Sequence, residues 1–269
     1  VITGSGVQTA GASQSLTIRA TDASGNTDPS YTGPKSLTFS GAGSSINPVT
    51  VPTVKDNAGS AINFGTATTI TFTAGVATVS GGNNGVMVLY KAETANIVAT
   101  QSAITTTGTD RLTVVASASG MNKFVLSLAT PQTNGVAFTG TNTLTAQDAY
   151  GNTVSFDASA NNVTVAAVSP LTGAVSGFSG VNKLTSASDF VSGVANLTTL
   201  GMKYTGNAAT GTFTATSATS GYTGTSGSVV INPSTATKFV ITGSGVQTAG
   251  ASQSLTITAT DASGNTDPS

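Results

Sequence analysis

The sequence predicts an all-β chain built of tandem sandwich domains, and three observations predict it. Residues 240–269, VITGSGVQTAGASQSLTITATDASGNTDPS, repeat residues 1–30 with one change, Arg19 against Thr258. A looser version starts at Lys123, where KFVLSLATPQTNGVAFTGTNTLTAQDAYGNT echoes KFVITGSG at Lys238 and DASGNT at Asp22 and Asp261. Between these landmarks, short runs of alternating apolar and polar residues are separated by Gly-, Asn- and Asp-rich turns, with no long stretch of helical spacing. A long internal period makes the whole domain the repeating unit.

The one difference between the two copies is informative. In SLTIRATD, Leu16, Ile18 and Ala20 alternate with Thr17, Arg19 and Thr21, the pattern of a strand with one buried face. Arg19 falls on the polar face, so exchange with Thr258 leaves the apolar set Leu255, Ile257 and Ala259 untouched.

The first unit spans residues 1–122. Strands are expected at 1–7 and 15–21, followed by the dense turn residues DASGNTDPS. Further strands are expected at 36–39 and 44–52, then a hairpin over 69–73 and 76–80 with Ala74-Gly75 at its tip. Strands at 86–90, 95–100 and 111–116 close the unit. The second unit spans 123–237 and meets its landmarks in the same order: FVSGVANL from Phe190 matches FTAGVATV from Phe72, and 228–232 is the closing strand. Both lengths suit sandwiches of about seven to nine strands. Residues 238–269 hold only two strands. Two strands cannot bury an apolar face alone, so this piece reads either as the start of a further domain or as strands that complete a neighbouring subunit.

Only 7% of residues are charged and the net charge is -1. Without clustered Lys and Arg there is no case for nucleic-acid binding, and no apolar run is long enough for a spanning helix. The chain has no Cys, which removes disulfides and thiolate metal sites, and no His, which weakens any enzymatic reading. No catalytic residue and no cofactor are expected.

The joints are short. Residues 116–122 run straight into Lys123-Phe124, and 232–237 into Lys238-Phe239. Lys123, Phe124, Lys238 and Phe239 read as joint residues, the Phe packing at a domain end while the Lys stays wet. Short joints predict an extended rod with limited hinging.

The order TAGxxxxLTIxAxDxxGN, FTxGVAxV and a closing LTV strand resembles bacterial immunoglobulin-like repeats, the tandem modules of invasin- and intimin-like surface adhesins. The resemblance covers both units and the C-terminal piece. It implies Ig-like sandwiches, an extracellular or cell-surface location, and a filament, stalk or adhesin role. Partners would be neighbouring copies of the same domain, in one chain or by strand exchange between chains, with no nucleic acid and no membrane insertion by this segment. The resulting reading is a rigid spacer. Its rival is a ligand-binding adhesion module for glycan or protein.

The sharpest polar cluster is Asp22-Ala-Ser-Gly-Asn-Thr-Asp28, which recurs at 261–267 and, as DAYGN, at 148–152. Asp22, Asn26 and Asp28 offer oxygens of the kind Ca²⁺ takes, but three side chains fall short of the roughly six to eight ligands required. The middle unit also has Val154 where Asp28 should recur. The competing reading is structural: Asp accepts backbone N–H bonds in a tight turn beside Gly. Glu93, the only Glu, is expected to form a solvated ion pair with Lys91 on one strand face.

Overall fold

The computed structural model describes residues 1–268, and it is all-β. The only helical pieces among the described residues are two short 3₁₀ turns, Gly108–Asp110 and Ala187–Asp189. The chain divides into two compact units. Unit 1 is Val1–Met121 with Gln147–Val154, and unit 2 is Asn122–Ala146 with Ser155–Ser269.

Unit 1 contains three sheets. One holds Val7–Thr9, Leu112–Ser117, Glu93–Gln101, Gly33–Ser40 and Ala67–Phe72 in that order, with Ile104–Thr105 paired to Glu93–Gln101. All its pairings are antiparallel except Val7–Thr9 on Leu112–Ser117, which is parallel. A second sheet runs Ser13–Ser15, Val86–Val88, Thr53–Lys55, Ala61–Asn63; a third runs Ile2–Thr3, Thr17–Arg19, Val76–Ala77. Alternation sets the facing. Leu16 and Ile18 are buried in the core with Phe39, Ile70, Met87 and Ile97, while Arg19 between its neighbours is exposed.

At Ala74-Gly75 the expected tight turn forms, closed by a bridge between Thr73 and Val76, but the hairpin does not: Ala67–Phe72 pairs with Gly33–Ser40 and Val76–Ala77 with Thr17–Arg19, so the chain crosses from one sheet to another at this turn. Both turn residues have positive φ, 48° and 82°, which matches the twist of the flanking strands. Gly75 is also sterically fixed, because a Cβ there would lie 2.3 Å from the Asp28 carbonyl oxygen. Residues 44–52 do not form the expected strand. Pro48 and Pro52 remove two backbone donors from that stretch, so a ladder there would be broken twice.

Unit 2 repeats the scheme. Gln132–Thr133, Val229–Asn232, Thr210–Ser217, Val163–Val168 and Lys183–Leu184 form one sheet, again with its first pairing parallel. Lys123–Ser127, Thr143–Gln147 and Val194–Asn196 form another, and Ala174–Ser176 pairs with Lys203–Thr205. Its core centres on Phe138, Phe213 and Tyr204, with the Phe213 ring edge-on to both of the others at 5.7 and 5.8 Å. Buried Tyr204 satisfies its hydroxyl by donating to Asn207 Oδ1 at 2.7 Å and accepting from the Gly173 N–H at 2.9 Å.

The C-terminal strands Lys238–Thr242 and Thr256–Thr260 pair with each other. Their apolar residues stay exposed: Leu255 is 54% and Ile257 62% accessible, where Leu16 and Ile18 in the first copy are 1% and 5%. The same sequence is buried or bare according to whether a second sheet faces it.

Candidate loop-docking site

The Asp-x-x-Gly-Asn sequence folds identically at all three places. Asp148 Oδ1 accepts the N–H groups of Tyr150 and Asn152, both at 2.9 Å. Asp261 Oδ1 does the same with Ser263 and Asn265, and Asp22 Oδ1 with Ser24 and Asn26. In each, the Asn amide donates to the second Asp oxygen. This is the turn reading, and it accounts for one carboxylate oxygen and half of the amide.

What remains of the two side chains points outward, and in two of the loops it is occupied. In unit 1 the loop Gln147–Val154 is seated on the preceding strands. Asn152 Oδ1 accepts the Ala92 N–H at 2.7 Å, and its Nδ2 donates to the Tyr90 carbonyl at 2.8 Å. Asp148 Oδ2 accepts both the N–H and the hydroxyl of Ser119, at 2.9 and 3.1 Å. Asp148 and Asn152 are buried, 0% and 6% accessible. Tyr150 adds a ring contact with Tyr90 at 5.1 Å and lies against Gly11, where a Cβ would stand 2.2 Å from the phenol oxygen.

Unit 2 contains the same arrangement on the third loop. Asn265 Oδ1 accepts the Ala208 N–H at 2.7 Å and its Nδ2 donates to the Gly206 carbonyl at 2.9 Å. Asp261 Oδ2 accepts the Ser234 N–H at 3.2 Å and the Asn134 amide at 2.8 Å. Asp267 Oδ2 accepts the Ala236 N–H at 2.8 Å. The main-chain correspondence holds residue by residue. Tyr90 and Ala92 stand two apart, as Gly206 and Ala208 do. Ser119 and Ser234 each lie four residues ahead of a Lys-Phe pair. The Asn side chain thus imitates a peptide group, giving and taking one hydrogen bond each way as a strand neighbour would.

Burial would ordinarily push these carboxyls up. For both Asp148 and Asp261 the hydrogen bonds outweigh burial. Asn152 with Ser119 holds the first below the usual carboxylate range, and Asn265 with Asn134 and Ser234 holds the second far below it. A charged acceptor makes each such bond stronger, about 1.5–3 kcal/mol.

The residues singled out from sequence fall differently. Asp28 Oδ1 accepts the N–H and the hydroxyl of Ser30 in a separate turn of its own, while Asn26 sits on Asp22. Among the described residues no group of three or more acidic side chains is gathered for a metal ion. Phe124 is buried, and its ring lies 5.1 Å from Phe156 and 6.1 Å from Phe190. Phe239, in the corresponding place, is 74% accessible. Lys123 is half-buried, and Lys238 donates to the Ala262 carbonyl at 3.4 Å. Lys91 and Glu93 form the expected ion pair at 2.8 Å, and Glu93 also accepts the Gly43 N–H.

No protein-family model and no curated protein matches the chain. The resemblance to invasin- and intimin-like repeats therefore rests on sequence motifs. Among solved structures, the chain is similar to domains 4–9 of the surface layer protein SbsC, at 17% identity and a TM-score of 0.25 over 87% of this chain and 37% of that one. It is similar to a Corynebacterium diphtheriae protein described as membrane anchored, at 11% identity and a TM-score of 0.28 over 90% and 56%. A marsupial T cell receptor matches at 12% identity and a TM-score of 0.25, over 92% and 77%. The chain spans 37% and 31% of the length of two SbsC chains it matches. Overlaps this slight, shared between a bacterial surface layer and a T cell receptor, say nothing about role.

Proposed function

We propose that this chain is a non-enzymatic structural repeat segment, a spacer in an extracellular stalk, filament or adhesin, whose domains are fastened in series by the Asp/Asn loop. The observation that carries this reading is the recurrence of one fastening. Asp148 with Asn152, and Asp261 with Asn265, hold equivalent backbone groups on the strands that precede them in sequence, each set within one compact unit. A segment whose polar side chains are spent on holding successive domains is suited to bearing length and load rather than to transforming a molecule. The location outside the cell belongs to the same proposal and is supported by the motif order that resembles surface-adhesin repeats.

The test is small-angle X-ray scattering of the whole chain and of Asp148→Ala/Asn152→Ala. The spacer reading expects a narrow set of conformations in the wild type and a broader, more flexible one in the variant, with circular dichroism unchanged. Superimposable scattering curves for the two proteins would remove the fastening role.

A further inference from the structure

Two of the three loops are seated and the third is bare. The loop at Asp22 has the sequence DASGNTD, identical to that at Asp261. Its internal bonds are the same: Ser24 and Asn26 N–H to Asp22 Oδ1 at 2.9 Å, and the Asn26 amide to Oδ2 at 3.1 Å. Yet Asp22 and Asn26 are exposed where Asp261 and Asp148 are fully buried. Asn26 Oδ1, the atom whose counterparts take the Ala92 and Ala208 N–H groups, accepts nothing among the described residues. The loop is already shaped for docking, so seating it costs little ordering entropy.

We infer that the Asp22–Asp28 loop is a docking element, and that its partner is the domain end formed by Asn134, Gly206, Ala208 and Ser234 of another copy of this repeat. That end is chosen because it already holds an identical loop, residues 261–267, through the same atoms. Most of its donors and acceptors are main-chain groups, so a second copy presents them unchanged. In the whole chain this end is filled by its own tethered loop, whose effective concentration is high. A free loop from another molecule therefore finds the end only when the tethered one is removed. The inference rests on the fastening role proposed above and extends it to a specific partner.

The experiment uses whole chains. Isotope-labelled wild type, with the Asp22 loop free, is titrated with unlabelled Asp261→Ala/Asn265→Ala, in which the end of unit 2 is uncovered. The expected result is a saturable movement of the Ser24 and Asn26 amide signals. It should be at least several-fold weaker with unlabelled wild type, and lost when the labelled chain carries Asp22→Ala/Asn26→Ala. Nuclear magnetic resonance reads even weak association. Signals that stay still, or that move as much with wild type as with the uncovered variant, overturn the inference. In the labelled form, Asp261→Ala/Asn265→Ala must also lose protection at the Ser234 amide. If it does not, Ser234 exchange is repeated with Asn265→Asp, whose added charge faces the Asp261 carboxylate. Protection at Ser234 that survives both changes also overturns the inference, because the docked loop would then not depend on these side chains. If scattering responds to Asp148→Ala/Asn152→Ala while the titration is silent, only this inference falls. If scattering does not respond, the fastening role falls with it.

Discussion

Units 1 and 2 share the strand order of their largest sheet on different interiors, and one difference between those interiors lies at one end. In unit 2 the rings of Phe156 and Phe190 stand 5.0 Å apart, and Phe124 packs against both. In unit 1 the equivalent rings, Tyr31 and Phe72, stand 4.9 Å apart in the same edge-on manner. No third ring joins them. A pocket of about 120 Å³, open to solvent, lies beside them, lined by Val1, Arg19, Tyr31, Phe72, Gln101 and Asp110 among others. The comparison teaches that two interiors built on a like strand order can close the same end with three rings or with two.

The strongest way to break the comparison is a charge in the shared core. Ile18→Asp should cost several kcal/mol, on the order of 3–5, by burying an unpaired carboxylate. Its twin Ile257→Asp should cost far less, because Ile257 is 62% accessible. Denaturant melts of the two variants check this, and equal losses would contradict the difference in burial. Next in size, Phe124→Ala should destabilise unit 2 by about 3–5 kcal/mol. Denaturant melts check this as well, and a melt unchanged from wild type would contradict the packing of Phe124 on Phe156 and Phe190.

The seated and bare loops make the smaller test. Asn152→Ala leaves the Ala92 N–H and Tyr90 carbonyl unpaired and should cost about 1–3 kcal/mol. Asn26→Ala, on an exposed loop, should fall within about 0.5 kcal/mol. Hydrogen exchange at the Ala92 amide reads the first directly. Acid should unseat the loops as well. The Asp148 and Asp261 carboxyls are depressed when docked, so docking is fully favoured above about pH 4, the ordinary Asp value, and weakens as pH falls through the docked values. Faster exchange at the Ser119 and Ser234 amides below that pH, with the cores still folded, is the expected signature. Smallest of all, Arg19→Thr should be neutral, since Arg19 is exposed and the other copy already carries Thr258 at this place.

Much of the fold was legible because a half-buried strand writes its facing into alternate residues, as Leu16, Ile18 and Arg19 show. The turn at Ala74-Gly75 was legible because few residues accept its backbone angles, but not that the strands on either side of it join different sheets. Residues 44–52 misled because their apolar content suits a strand while Pro48 and Pro52 deny it a ladder. The candidate site was half legible. Asp and Gly announced a turn, and the turn is there. The docking role left almost no mark, because most of what the loop holds, at Tyr90, Ala92, Gly206 and Ala208, is main chain, which any residue supplies. The one trace was that Asp and Asn recur in all three loops while Asp28 does not, its counterpart in the middle loop being Val154.

A fastening that holds peptide groups rather than particular side chains cannot tell one module from the next. It therefore encodes no order. A gene for such a chain could gain or lose an entire module by recombination between its near-identical stretches, and every seam would still close. Reach would then be set by copy number, with no new interface to evolve.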